Sequence, residues 1–121
     1  MDTEQVKAPR LCVLKREDQG YGFSLHGEKG STGQFITEID SGGAAAKAGL
    51  RLGDRLVEVN GINVENQSHS QIVKQIRLHP THIELLVVNH ITDEFLQSLG
   101  IAATSDIAIS GAVDVTVPSS F

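Results

Sequence analysis

Gly20-Tyr21-Gly22-Phe23-Ser24-Leu25-His26 is the stretch on which the reading of this chain turns. Two glycines flank one aromatic residue, and Phe23 to His26 then alternates apolar and polar at the strand period. Glycine reaches left-handed dihedrals and lets other groups approach the backbone closely. Successive N–H groups around Tyr21, Gly22 and Phe23 can therefore point into one concavity suited to an anion. Alone, this tetrapeptide reads as an ordinary turn, so its meaning depends on its surroundings.

Upstream, Arg10 to Lys15 is apolar at its centre and bounded by charge, which predicts a short strand, and residues 1–9 read as a loose lead-in. Downstream, Gln34 to Ile39 reads as another strand. Ala44 to Ala48 predicts a helix of one or two turns, with Gly49 where a capping glycine belongs. Arg55 to Val59 is rich in β-branched residues, Asn60-Gly61 is a tight-turn signal, and Ile62 to Val64 is a short return strand. Ser68 with Gln71 forms a capping-box pattern that opens a helix running to Leu78. His69, Val73 and Ile76 share a face of it. After Pro80, Ile83 to Val88 is the last core strand. The order predicts an α+β domain over residues 10–90. Residues 91–121 form an extension, with a capped helix start at Thr92-Asp93-Glu94 and, beyond Gly100, a tail without clear period.

Composition excludes more than it reveals. A net charge of −5 argues against nucleic acid as the main partner, because phosphate binding needs a basic face. Cys12, the single cysteine, sits in an apolar strand setting and reads as a small buried hydrophobe. The histidines show no zinc-like pairing, so no metal or other cofactor is expected. No signal peptide or membrane span is visible, which makes the cytoplasm the expected location.

A Gly-aromatic-Gly-Phe turn opening a strand, Asp54-Arg55-Leu56-Val57-Glu58-Val59-Asn60-Gly61, and a helix that opens on His69 stand in one order and spacing. Together they resemble the PDZ domain. Pro9-Arg10-Leu11-Cys12, Leu25-His26-Gly27-Glu28-Lys29-Gly30 and Leu85-Leu86-Val87-Val88 look like the first PDZ domain of the sodium–hydrogen exchanger regulatory factors. The resemblance implies a partly open β-barrel or sandwich of five to six strands with two helices. It implies a scaffold that binds free C-terminal tails of transporters, channels and receptors as an added strand, at the cytoplasmic face of the plasma membrane. Gly20, Tyr21, Gly22 and Phe23 would take the ligand carboxylate, and Arg16 would add positive charge. Tyr21, Phe23, Leu25, Val73 and Ile76 would line the pocket for the last ligand residue, with Ser24, His26, Thr37 and Arg77 along the groove. His69 would accept a hydrogen bond from Ser or Thr two positions before the ligand's end, the family's class I preference. Thr37 departs from the Arg typical of the exchanger-factor domains, which removes the reason for an acidic ligand residue upstream.

Two other readings compete. Gly27 to Gly33 looks superficially like a phosphate loop, but it lacks the Gly-Lys-Ser/Thr ending and no helix follows. A small hydrolase could be assembled on paper from Ser24, His69 and Asp54, without the strained elbow such a serine needs. The chain's last residues, Ser119-Ser120-Phe121, match the class I ligand pattern and are a candidate internal ligand, in cis or between copies.

Overall fold

The computed structural model describes residues 7–27 and 33–112. Ser119, Ser120 and Phe121, the candidate internal ligand, lie outside the described residues.

The strands are β1 (Arg10–Lys15), β2 (Phe23–His26), β3 (Phe35–Ile39), β4 (Arg55–Val59), β5 (Ile62–Asn63), β6 (His82–Val88) and β7 (Ile109–Ser110). The helices are α1 (Ala44–Lys47), α2 (His69–Arg77) and α3 (His90–Ser98), followed by a 3-10 turn at Ser105–Ile107. The strands form one sheet in the order β2-β3-β4-β6-β1-β7, with β5 paired to β4. Every pairing is antiparallel except β1 with β7. The α+β class holds: among the described residues, six strands and two α-helices, α1 and α2, fall in the core domain as expected, and the extension adds α3 and β7. The sheet is open, ending at β2 on one side and β7 on the other.

Local signals act where the sequence placed them. Ser68 accepts from the Gln71 N–H, and Gln71 Oε1 accepts from the Ser68 N–H at 2.8 Å, closing the capping box of α2. Asn60 and Gly61 both have positive φ, as a tight antiparallel turn requires. Gly49, at φ +85°, follows the last turn of α1, and a Cβ there would lie 1.5 Å from the Gly111 carbonyl oxygen.

The extension differs from its reading. α3 starts at His90, because the Asn89 side chain accepts from the Thr92 N–H at 2.7 Å and so caps the helix before Thr92. Residues 101–112, the start of the stretch that shows no clear period in sequence, have a defined course. The chain returns to β1, where Ile109 N–H donates to Pro9 O and Gly111 N–H to Leu11 O, each at 2.9 Å. The reason lies in β6. Ile83, Leu85 and Val87 face the main core with Cys12, Leu14, Ile36, Leu56 and Ile72. Leu86 and Val88 face the other way and, with Val57, are 0% exposed. Leu96 of α3, with Ala103 and Ala108, packs on that second face. A strand that is apolar on both sides needs two layers, and the extension supplies the second.

Two ion pairs tie these layers. Asp54, 0% exposed, accepts from the Arg10 guanidinium and from the Arg51 N–H at 2.9 Å. Arg10 also donates to Gly49 O at 3.1 Å, fixing β1 to the turn after α1. Arg55 grips Asp93 in a two-pronged contact, 2.9 Å on each oxygen, and joins β4 to α3. Hydrogen bonds from Arg55 hold the Asp93 carboxyl below its ordinary value, against the opposing effect of burial. The Cys12 thiol is pushed up to about 11, by burial above all, so it is an inert core group.

Arg10→Met should lose about 3 kcal/mol in urea unfolding, since it strands the buried Asp54 carboxylate; a loss under 1 kcal/mol would contradict this role. Asp93 has a lowered folded pKa, so its contribution is present above the unfolded carboxylate value and fades as pH falls through the folded one. Asp93→Asn should therefore lower stability by about 1 kcal/mol at neutral pH. The gap to the parent should close in acid, as read by thermal unfolding across pH.

Candidate functional site

The peptide plane makes each carbonyl point opposite to the N–H that follows it, and the Gly20–Gly22 loop uses this. Gly20 O accepts from the Glu17 N–H at 3.1 Å, Tyr21 O from the Ala45 N–H at 3.0 Å, and Gly22 O from the Asp40 N–H at 2.9 Å. With these carbonyls anchored, the N–H groups of Tyr21, Gly22 and Phe23 are turned the other way. Among the described residues, neither Tyr21 nor Gly22 N–H meets a protein acceptor. Such donors need a partner when covered, and an anion can supply one. Gly20 and Gly22 permit this course through φ of +97° and +76°. Nothing lies within 4 Å of a Cβ built on Gly20, and one on Gly22 makes only ordinary contacts. The requirement at both is therefore for the dihedral and not for space.

Beside the loop runs a cleft of about 350 Å³ between β2 and α2. Tyr21, Phe23, Ser24 and Leu25 form one wall, and His69, Val73, Ile76 and Arg77 the other. β2 is the edge strand of the sheet, paired only with β3, so its outer edge faces this cleft with unused backbone groups. Phe23, Leu25 and Ile76 pack on the main core from their half-buried positions. The wall is thus apolar at the loop end and polar at the His69 end. Tyr21 is held by its hydroxyl, which donates to His79 O at 2.6 Å. Burial raises the Tyr21 phenol above its ordinary value, and the charge of Arg16 works against that rise. Arg16 is exposed, and its N–H donates to Thr81 O at 2.8 Å.

His26 and Thr37 stand apart from the cleft walls. His26 is exposed at the end of β2. Thr37 falls at an irregularity in the β2–β3 register: Ser24 pairs with Glu38 and Leu25 with Ile36, leaving Thr37 between them. The residue across from Ser24 is thus Glu38, exposed on the β3 side. Sequence reasoning missed it because a bulge shifts which residue faces the neighbouring strand. It also missed Gln34, whose Oε1 lies 2.8 Å from His69 Nδ1 across the chain. No local pattern links those two positions.

The hydrolase arrangement does not assemble. Asp54 is committed to Arg10 and the Arg51 N–H, while His69 Nδ1 is bonded to Gln34. Among the described residues, no group of three or more His, Cys, Asp or Glu side chains is placed to hold a metal ion.

Comparison with known proteins agrees with this geometry. The chain is 52% identical over 103 residues to the Na(+)/H(+) exchange regulatory cofactor NHE-RF2 of Oryctolagus cuniculus, covering 85% of this chain and 33% of that protein. It is 53% identical over 81 residues to NHE-RF1 of Gallus gallus, covering 67% of this chain and 24% of that protein. The chain thus spans between about a quarter and a third of the length of these relatives. A solved PDZ domain from choanoflagellate SHANK1, bound to a GIRK3 peptide, superposes with a TM-score of 0.64 at 34% identity. That match covers 69% of this chain and 93% of the other. The model of the PDZ domain family matches residues 11–88, from β1 through the end of β6. With that span, the open-edged β2 and the glycine loop in place, the chain belongs to the PDZ domain family.

Proposed function

We propose that the chain is a non-catalytic module that captures the free C-terminal ends of partner proteins as an added strand along β2. The supporting observation is the loop in which anchored carbonyls of Gly20, Tyr21 and Gly22 turn three consecutive N–H groups away from those anchors, beside a cleft that Tyr21 and Phe23 line. A terminal carboxylate accepts such bonds in their stronger, charge-assisted form, and Arg16 adds positive potential nearby. The ligand's last side chain then enters the apolar end of the cleft, against Tyr21, Phe23, Leu25, Val73 and Ile76. Two positions earlier a Ser or Thr meets His69, the class I preference. Ser24 and Arg77 border the middle of the groove, and His26 and Thr37 lie farther out.

The binding unit in this reading is residues 10–90, and residues 91–112 cover its second sheet face. The names of the relatives, exchange regulatory cofactors, favour a scaffold whose partners are tails of transporters, channels and receptors at the cytoplasmic face of the plasma membrane, joined there to the cortical cytoskeleton. No helix among the described residues is long and apolar enough to cross a membrane, so membrane association in this reading comes through partners.

A fluorescence titration with a peptide ending Asp-Ser-Ser-Phe, as free acid and as C-terminal amide, tests the proposal. Saturable binding of the acid and at least roughly tenfold weaker binding of the amide is the expected result, from loss of charge-assisted bonds. Equal binding of both forms would overturn it. Gly22→Ala should weaken the free acid by about tenfold while leaving the circular dichroism unchanged, because an L-residue at positive φ costs about 1–2 kcal/mol and pulls the loop out of shape.

A further inference from the structure

Gln34 stands just before β3, is nearly buried at 9% exposure, and carries no part of the cleft wall. Its side chain crosses to α2 and places Oε1 2.8 Å from His69 Nδ1. Space for that crossing exists because residue 27 is glycine. A Cβ built on Gly27 would lie 1.9 Å from Gln34 Nε2 and 2.6 Å from Cδ. Gly27 has no left-handed φ, so its lack of a side chain is used for room and not for conformation. The Gln34 backbone is held separately, its carbonyl accepting from the Leu56 N–H at 2.9 Å.

A neutral imidazole has one N–H and one lone pair. An amide oxygen only accepts, so the nitrogen facing it must carry the proton, and the lone pair is left on Nε2. The partner of one ring nitrogen thus fixes what the other can offer, as a carboxylate or carbonyl does behind a metal-bound histidine. We infer that Gln34, admitted by Gly27, is a positioning residue that holds His69 as its Nδ1–H tautomer, so that the groove offers an acceptor and selects ligands with a hydrogen-bond donor two positions before their end. This rests on the groove reading above and deepens it. Ser and Thr donate a hydroxyl proton and fit; Ala offers nothing, and the carboxylate of Asp only accepts. The preference is then set by a residue that never touches the ligand.

The test uses the full chain in two independent measurements. The first is the 15N spectrum of the His69 ring in the unliganded protein at a pH where the ring is neutral. It should show a protonated Nδ1 and a bare Nε2 in the parent, and a mixture of tautomers in Gln34→Met and Gly27→Ala. Met keeps the length of the side chain and removes the acceptor; Ala at position 27 displaces the acceptor without altering it. The second is affinity for free-acid peptides ending Asp-Ser-Ser-Phe, Asp-Ala-Ser-Phe and Asp-Asp-Ser-Phe. The parent should prefer Ser over Ala by roughly tenfold, the worth of one well-made hydrogen bond, and reject Asp at least as strongly. In both variants the Ser preference should shrink to about twofold, with affinity for the Ala peptide unchanged, which also shows that the groove is intact. A bare Nδ1 in the parent overturns the proposal. So does an unaltered Ser-to-Ala ratio in the variants, or an equal loss for all three peptides. If the parent binds none of the peptides, the groove reading fails, and the ring spectrum alone still decides whether Gln34 sets the tautomer.

Discussion

Three consecutive carbonyls must be bound on one side of the Gly20–Gly22 loop before the N–H groups on its other side can face a ligand. Each anchor comes from a different part of the fold: the Glu17–Gly20 turn, the start of α1 at Ala45, and the end of β3 at Asp40. The loop is therefore only as well formed as the arrangement of those elements. α1 has no side-chain cap at its N-terminus and only four residues, too few to be stable alone. Its place is secured from behind, where Ala44, Ala45 and Ala48 are buried in the core and Arg10 binds Gly49 O while pairing with Asp54. A buried ion pair outside the cleft wall thus supports the geometry of the site. A neutral pair there would lose the short, charge-assisted contacts that fix the turn after α1.

The same economy of parts explains the extension. β6 is flanked by β4 and β1, and its stretch from Leu85 to Val88 is buried and apolar on both faces, so that part cannot sit at a water-facing surface. Leu96, Ala103 and Ala108 cover its second face, and Arg55 clasps α3 through Asp93. The close approach of β7 depends on paired glycines: Gly111 lies against Gly49, and a Cβ on Gly111 would lie 2.5 Å from Cys12 Sγ. Among the described residues, the extension packs on β1, β4 and β6, and none of its residues through Ala112 lines the cleft.

Much of this was legible in the residues because local physics and tertiary need agreed. The capping box at Ser68, the Asn60-Gly61 turn and the alternation from Phe23 to His26 each have one low-energy local solution, and the fold uses it. Spacing along α2 put His69, Val73 and Ile76 on one face, and the assignment of the other cleft residues came from the resemblance to the PDZ domain. What escaped was of two kinds. Asn89 caps α3 ahead of Asp93 and Glu94 by accepting from the Thr92 N–H, so the helix begins earlier than the acidic turn suggested. Gln34 and Glu38 owe their places to a bulge and to a contact across 35 residues, which no pattern along the chain encodes. The run Leu85-Leu86-Val87-Val88 did carry an unused hint, because four successive buried residues in a strand imply cover on both faces.

The most direct test of the account is the amide spectrum of the 15N-labelled protein during addition of a free-acid peptide. The Tyr21 and Gly22 N–H resonances, which meet no protein acceptor among the described residues, should move strongly downfield as they bond the carboxylate, and stay in place when the amidated peptide is added. Resonances of the Glu17–Gly20 turn and Ala45, whose N–H groups are already used, should move little. Unmoved Tyr21 and Gly22 signals beside clear shifts elsewhere would contradict carboxylate capture by this loop.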